Sequence, residues 1–154
     1  MTEQYVRAAI VKFCTWGERE HRRFTYDEIR PIPQVRPHEL PTTGEIVTDC
    51  SGFATMAYQY AGAPDPNGNH YDGAGFTGTL LAHGTPITKP NVLPGDLIVF
   101  GEAPGHHVVV FIEVWHGAYM VASNGKQGDP AVTFLHREQA YQPSPVTFLR
   151  FPLT

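Results

Sequence analysis

The stretch "TDCSGF", residues 48–53, sets a cysteine between an acid and a serine at the head of an apolar run. Behind it Phe53, Met56, Ala57 and Tyr60 recur at i, i+3, i+4 and i+7, a spacing that predicts a helix from about Cys50 to Ala61. Thr48 or Asp49 can cap its first turn and Gly62 can end it. A thiol placed there faces unpaired backbone N–H groups and the positive end of the helix dipole, both of which favour thiolate over thiol. Small Ser51 and Gly52 leave room for a substrate carbonyl, and the N–H of the nucleophile itself could donate to an oxyanion. The segment alone leaves a second possibility open, in which Cys50 is one more buried, inert cysteine.

Upstream, "RPIPQVRPHELP" (30–41) carries four prolines, which remove backbone donors and block helix, so an extended surface connector is expected. Earlier still, Val6, Ala9, Ile10, Phe13 and Cys14 form a helical stripe, with Thr2 as N-cap and Gly17 as the stop. Downstream, "GAPDPNGNHYDGAGFTG" (62–78) is rich in turn formers and predicts a long loop. After Pro94 the period changes to two. "DLIVFG", "HHVVVFIEVW", "AYMVAS", "AVTFLH" and "PVTFLRF" are β-branched and aromatic runs split by turn signals, with "HG" (116–117) as a tight hairpin. Helices followed by a meander of strands predict one α+β domain over 1–154, with an antiparallel sheet of five to six strands. Trp16, Phe100, Phe111, Trp115 and Phe134 are expected in its core.

A chain of 154 residues can bury roughly two thirds of its unfolded surface, enough for one sizeable core. Its 11 Lys and Arg against 15 Asp and Glu argue against a partner bound through phosphate neutralisation, so nucleic acid is excluded. No stretch resembles a signal peptide or a membrane span, which predicts synthesis in the cytoplasm and no membrane partner. Two cysteines, Cys14 and Cys50, are too few for a disulfide scaffold.

A thiol nucleophile needs a base, and histidine titrates in the right range. His21, His38, His83 and His136 lie in text that reads as surface, and nothing fixes His70 in its loop. His106 and His107 differ, because they open a strongly apolar strand where a buried imidazole costs energy unless it is used. The pleat points them to opposite faces, so only one can meet the helix. If "HG" is a two-residue turn, Trp115 pairs with Ala118, and His107, Val109 and Asn124 share a face; a three-residue turn puts Ser123 there instead. An amide on that face could hold the far ring nitrogen and set the tautomer. The histidines do not read as a zinc site: there is no H-E-x-x-H, no paired C-x-x-C, and neighbours on a strand cannot ligate one ion.

Taken together, "DCSGF" at a helix start, "LPGDLIVF" (93–100) and a histidine opening "HVVVFIEV" resemble the NlpC-type cell-wall cysteine peptidases, which are papain-like. The resemblance covers about 48–125. It implies a papain-like α+β fold with the nucleophile at a helix N-terminus, and a monomeric endopeptidase that cuts peptidoglycan stem peptides without cofactor or metal. Carried over by position, Cys50 is the nucleophile, His107 the base, and Asp49 and Ser51 the residues that help hold the substrate's free amine end. The third polar position departs from the family, which often has His there; this strand offers Ala122, Ser123 and Asn124, and hairpin parity selects Asn124. An amidase or acyl transferase would use the same pair, and a non-catalytic wall-binding module is the alternative of another class. The 62–84 loop is also similar to inserts in lysins of phages that infect actinobacteria, implying action on the bacterial wall during phage-driven lysis.

Overall fold

A computed structural model describes all 154 residues, Met1–Thr154. Helix α1 (Glu3–Arg19) starts where expected, with the Thr2 hydroxyl accepting from the Tyr5 N–H. It does not stop at Gly17. That glycine lies inside the helix, where a Cβ would stand 2.8 Å from the Phe53 ring, so its lack of a side chain lets α1 press onto the next helix.

Strands β1 (Phe24–Tyr26) and β2 (Ile46–Thr48) form a small parallel pair, joined by an extended segment that is mostly exposed but anchored by buried Ile32 and Val35. Helix α2 (Cys50–Tyr60) follows at once, its first turn capped by Asp49, whose Oδ1 accepts from the Gly52 N–H at 2.8 Å. The loop after α2 is organised around the Asp65 carboxylate, which accepts from the N–H groups of Asn67, Asn69 and Tyr71. It ends in a short helix α3 (Thr77–His83), so helix begins one residue before the expected loop is over.

The remaining elements are β3 (Thr85–Ile87), β4 (Leu97–Phe100), β5 (His107–Trp115), β6 (Ala118–Ser123), β7 (Ala131–Phe134), α4 (Leu135–Gln139) and β8 (Val146–Arg150). The six later strands make one antiparallel sheet in the order β3-β8-β4-β5-β6-β7. The expected meander holds for β4 to β7. The last strand departs from it, crossing back to pair with β4 on its far side.

One face of the sheet, with Val108, Val110 and Leu97, packs on α1 and α2 through Ile10, Phe13, Phe53 and Met56 in a core of 28 buried residues. Val109, Phe111, Phe100 and Val121 line the other face, where Leu135 of α4 closes a smaller cluster. Of the aromatics expected in the core, Trp16, Phe100 and Phe111 are buried. Phe134 is only partly covered and Trp115 is 52% exposed, the latter because the end of the β5–β6 hairpin runs past β4 and β7.

The Gly-Asp step of "LPGDLIVF" ties these layers together. Asp96 is fully buried, yet it accepts from Arg7 of α1 at 2.9 Å, from Arg150 of β8 at 2.8 Å and from the Leu93 N–H at 2.8 Å. A buried carboxylate is tolerable only with such complete pairing.

Candidate active site

Cys50 is the first residue of α2 and His107 the first of β5, so the two meet where both elements begin. The sequence around Cys50 explains the tightness of that start. Any Cβ at Gly52 would collide with the Thr48 hydroxyl and crowd the Asp49 carboxylate, so only glycine lets Asp49 fold back onto the first turn. His106 is exposed and His107 buried, as the pleat requires. His21 is partly exposed, and His38, His70, His83 and His136 all lie at the surface. Cys14 is buried in the core, where the apolar surroundings push its thiol far above the ordinary range.

His107 stacks on Phe100, ring centroids 5.9 Å apart. Its Nε2 lies 3.1 Å from the Ser123 hydroxyl and 3.4 Å from Oε1 of Glu138. The other nitrogen, Nδ1, makes neither of these contacts and is left to serve Cys50, which lies close enough to strengthen the ring's hold on its proton. Burial alone would disfavour the imidazolium, but hydrogen bonds to Cys50 and Glu138, with their negative charges, outweigh it and push His107 up to about 9. The same contacts act in reverse on Glu138. Burial disfavours its carboxylate, yet hydrogen bonds with His107 and Ser123 and the nearby positive charge hold it below the usual range. These contacts favour the protonated ring, set between the Cys50 sulfur and the Glu138 carboxylate.

Asn124 does not take the place parity assigned to it. The two-residue turn is present, with His116 and Gly117 at φ 48° and 78° and Trp115 paired with Ala118. A β-bulge at Ile112 then shifts the register: Glu113 pairs with Met120 but Phe111 pairs with Val121 and Val110 with Ala122. Continuing that register sets Ser123, rather than Asn124, opposite Val109 and on the His107 face. Asn124 turns to the other side, where its amide donates to the carbonyls of Thr48 (3.3 Å) and Asp49 (3.2 Å). It staples the entry to α2 and so holds the backbone that leads into Cys50 instead of the imidazole.

Glu138 carries no signal of its own in the sequence. The run "AVTFLH" reads as strand through His136, but β7 ends at Phe134 and α4 begins. Leu135 anchors α4 in the smaller cluster, and Glu138, one helical turn on, lies on the same side, at His107. Gly125, following Asn124, completes the nest: a Cβ there would stand 2.9 Å from Cε1 of His107.

On the other flank, Asp49 and Ser51 are both engaged by Arg30, whose Nη2 lies 3.1 Å from Asp49 Oδ2 and 3.0 Å from Ser51 Oγ. Tyr26 of β1 stands near enough that Cys50 and Asp49, after burial, help keep its phenol neutral. Two cavities adjoin the site. One of about 520 Å³ is lined by His107, Ser123, Glu138, Lys126 and Arg137. The other, of about 650 Å³, is lined by Asp49, Arg30, Glu28, Asp72 and Phe76. No three His, Cys, Asp or Glu side chains gather in a geometry that could hold a metal ion.

Among solved structures the fold is similar to NlpC2 from Trichomonas vaginalis, at 18% identity and a TM-score of 0.57, over 100% of this chain and 49% of that one. It is also similar to the peptidoglycan hydrolase RipB from Mycobacterium tuberculosis (19% identity, TM-score 0.54, 100% of this chain and 70% of that one). A lipoprotein-like NLP/P60 protein from Staphylococcus aureus gives 18% identity and a TM-score of 0.52, over 96% of this chain and 42% of that one. The chain thus spans less than half of the length of two of these. At such identities the likeness is one of fold, and that fold is the papain-like α+β arrangement. No curated protein matches the sequence. The sequence pattern of the NlpC/P60 family matches residues 35–144, well over half of the chain, and the chain belongs to the NlpC/P60 family.

Proposed function

We propose that this domain hydrolyses an amide bond in the stem peptides of peptidoglycan, as a cysteine endopeptidase. The observation that carries the proposal is the imidazole of His107, held between Cys50 and the Ser123–Glu138 pair at the N-terminus of α2. That one of the structurally similar proteins is a peptidoglycan hydrolase supports the choice of substrate.

Attack of the Cys50 sulfur, its proton carried by the His107 ring, on the scissile carbonyl forms an S–C bond and puts charge on the carbonyl oxygen. N–H groups of the first turn of α2, which have no acceptor within the helix, are placed to receive it. With His107 raised to about 9, the ring is an imidazolium at neutral pH and carries the proton that the departing amine takes as the C–N bond breaks. The neutral ring then accepts a proton from water, which attacks the thioester, releases the new carboxylate and restores the thiol pair. Ser123 and Glu138 keep the ring aimed through both steps.

The site acts on the bacterial wall in this account, and the loop likeness to phage lysins points to lysis as its setting. Incubation with purified peptidoglycan, followed by mass spectrometry of the released ends, tests the proposal. An endopeptidase leaves new amino and carboxyl ends within the stem, whereas an amidase frees the stem at its junction with the sugar. Release of no fragment at all would favour a wall-binding module and contradict the proposal.

A further inference from the structure

Arg30 sits on the two groups that the family resemblance reserves for a substrate's free amine. Its Nη2 contacts Asp49 and Ser51, its Nε donates to the Gly75 carbonyl at 2.8 Å, and its Nη1 donates to the Ile29 carbonyl at 2.8 Å. Four acceptors from three stretches of chain hold one guanidinium. The other carboxylate oxygen of Asp49 is engaged as well, accepting from the Gly52 N–H at 2.8 Å and lying 3.4 Å from the Ser51 hydroxyl. An ammonium arriving here meets an acid already neutralised, with a fixed positive charge beside it.

Of the five N–H donors of a guanidinium, these contacts use four and leave one, on Nη1. The Arg30 side chain is 29% exposed and lines the cavity of about 650 Å³, with Gly73, Gly75 and Phe76 among its walls. A guanidinium that lines an open space with a donor to spare suits a carbonyl oxygen. We propose that Arg30 is an internal surrogate for the substrate amine, and that it makes the enzyme select stem peptides whose amino end is acylated over trimmed peptides with a free amine. This rests on the stem-peptide reading above and names its substrate class. Glu28 and Asp72 line the same cavity and would draw a cation, so the selection is carried by Arg30 alone, through its contact with Asp49.

The test is a pair of peptides with the same scissile bond, one with a free amino end and one N-acetylated. The wild-type enzyme should show a kcat/KM at least about tenfold higher on the acetylated peptide, a difference of about 1.4 kcal/mol. Arg30→Met, which keeps the apolar stem and removes the charge, should shrink that ratio about tenfold or reverse it by raising efficiency on the free-amine peptide. Arg30→Gln is the second variant should the first not fold, and the wild-type ratio stands on its own if neither does. A wild-type preference for the free amine overturns the inference, as does an unchanged ratio in a well-folded Arg30→Met. Cleavage of neither peptide by the wild type removes the stem-peptide reading itself, and the inference with it.

Discussion

The Ser123 hydroxyl lies 3.1 Å from Nε2 of His107, while Asn124, the next residue, sends its amide to the backbone of Thr48 and Asp49. Adjacent residues at the end of β6 thus serve opposite partners, the imidazole and helix α2. Ser123→Ala should lower kcat about tenfold, the worth of one hydrogen bond, with little change in Michaelis constant. Asn124→Ala should instead lower thermal stability, by roughly 1–3 kcal/mol, since it removes two buried hydrogen bonds that tie the end of β6 to the start of α2. Kinetics and melting curves of the two variants decide it. An Asn124→Ala enzyme with wild-type stability and a selectively crippled kcat would return the orienting role to Asn124.

Glu138 and Cys50 together raise His107 to about 9, which fixes the direction of the pH response. A folded pKa above the ordinary 6.5 means that the imidazolium's contribution to folding is complete below about pH 6.5 and is lost as pH rises through about 9. Activity should fall on the same alkaline limb, because the protonated ring supplies the proton to the leaving amine. Glu138→Gln should move that limb to lower pH and cost about ten- to hundredfold in kcat, a charged hydrogen bond being worth about 1.5–3 kcal/mol. An alkaline limb that does not move would remove Glu138 from the site.

Gly125→Ala should damage activity far more than stability. The new methyl would press on Cε1 of His107 from 2.9 Å and swing the ring away from Ser123. Misplacement of about an ångström can cost on the order of a hundredfold in rate. A variant of wild-type activity would show that the ring has room to spare.

Asp96→Ala should unfold the domain without touching the chemistry. It takes from buried Arg7 its buried carboxylate partner, leaving only the exposed Glu3, and removes a partner from Arg150, and breaking such a buried pair costs about 3–5 kcal/mol. Denaturant titration measures the loss, and kcat of the fraction still folded should be unchanged.

What the sequence disclosed was what period and position carry. The stripe behind Cys50, the five later strands and the opposed faces of His106 and His107 follow from spacing alone, and α2 and β5 begin where those spacings put them. The bulge at Ile112 does not, because an extra residue in a run as uniform as "VVVFIEV" changes no residue type while it reverses every face beyond it. Glu138 was hidden for a related reason, since "HREQ" has the look of a solvated surface until Leu135 is seen to anchor it. Arg30 lies in proline-rich text without periodicity, 19 residues before Asp49, and only the folded chain brings the two together.

The central claim is that Cys50 is the nucleophile, and site-resolved alkylation tests it most directly. Native protein is treated with iodoacetamide at pH 7, mapped by peptide mass spectrometry, and assayed on purified peptidoglycan. The account predicts modification of Cys50, none of Cys14 in its apolar core, and loss of fragment release in proportion to Cys50 labelling. Protein fully modified at Cys50 that still releases fragments at the original rate would contradict it.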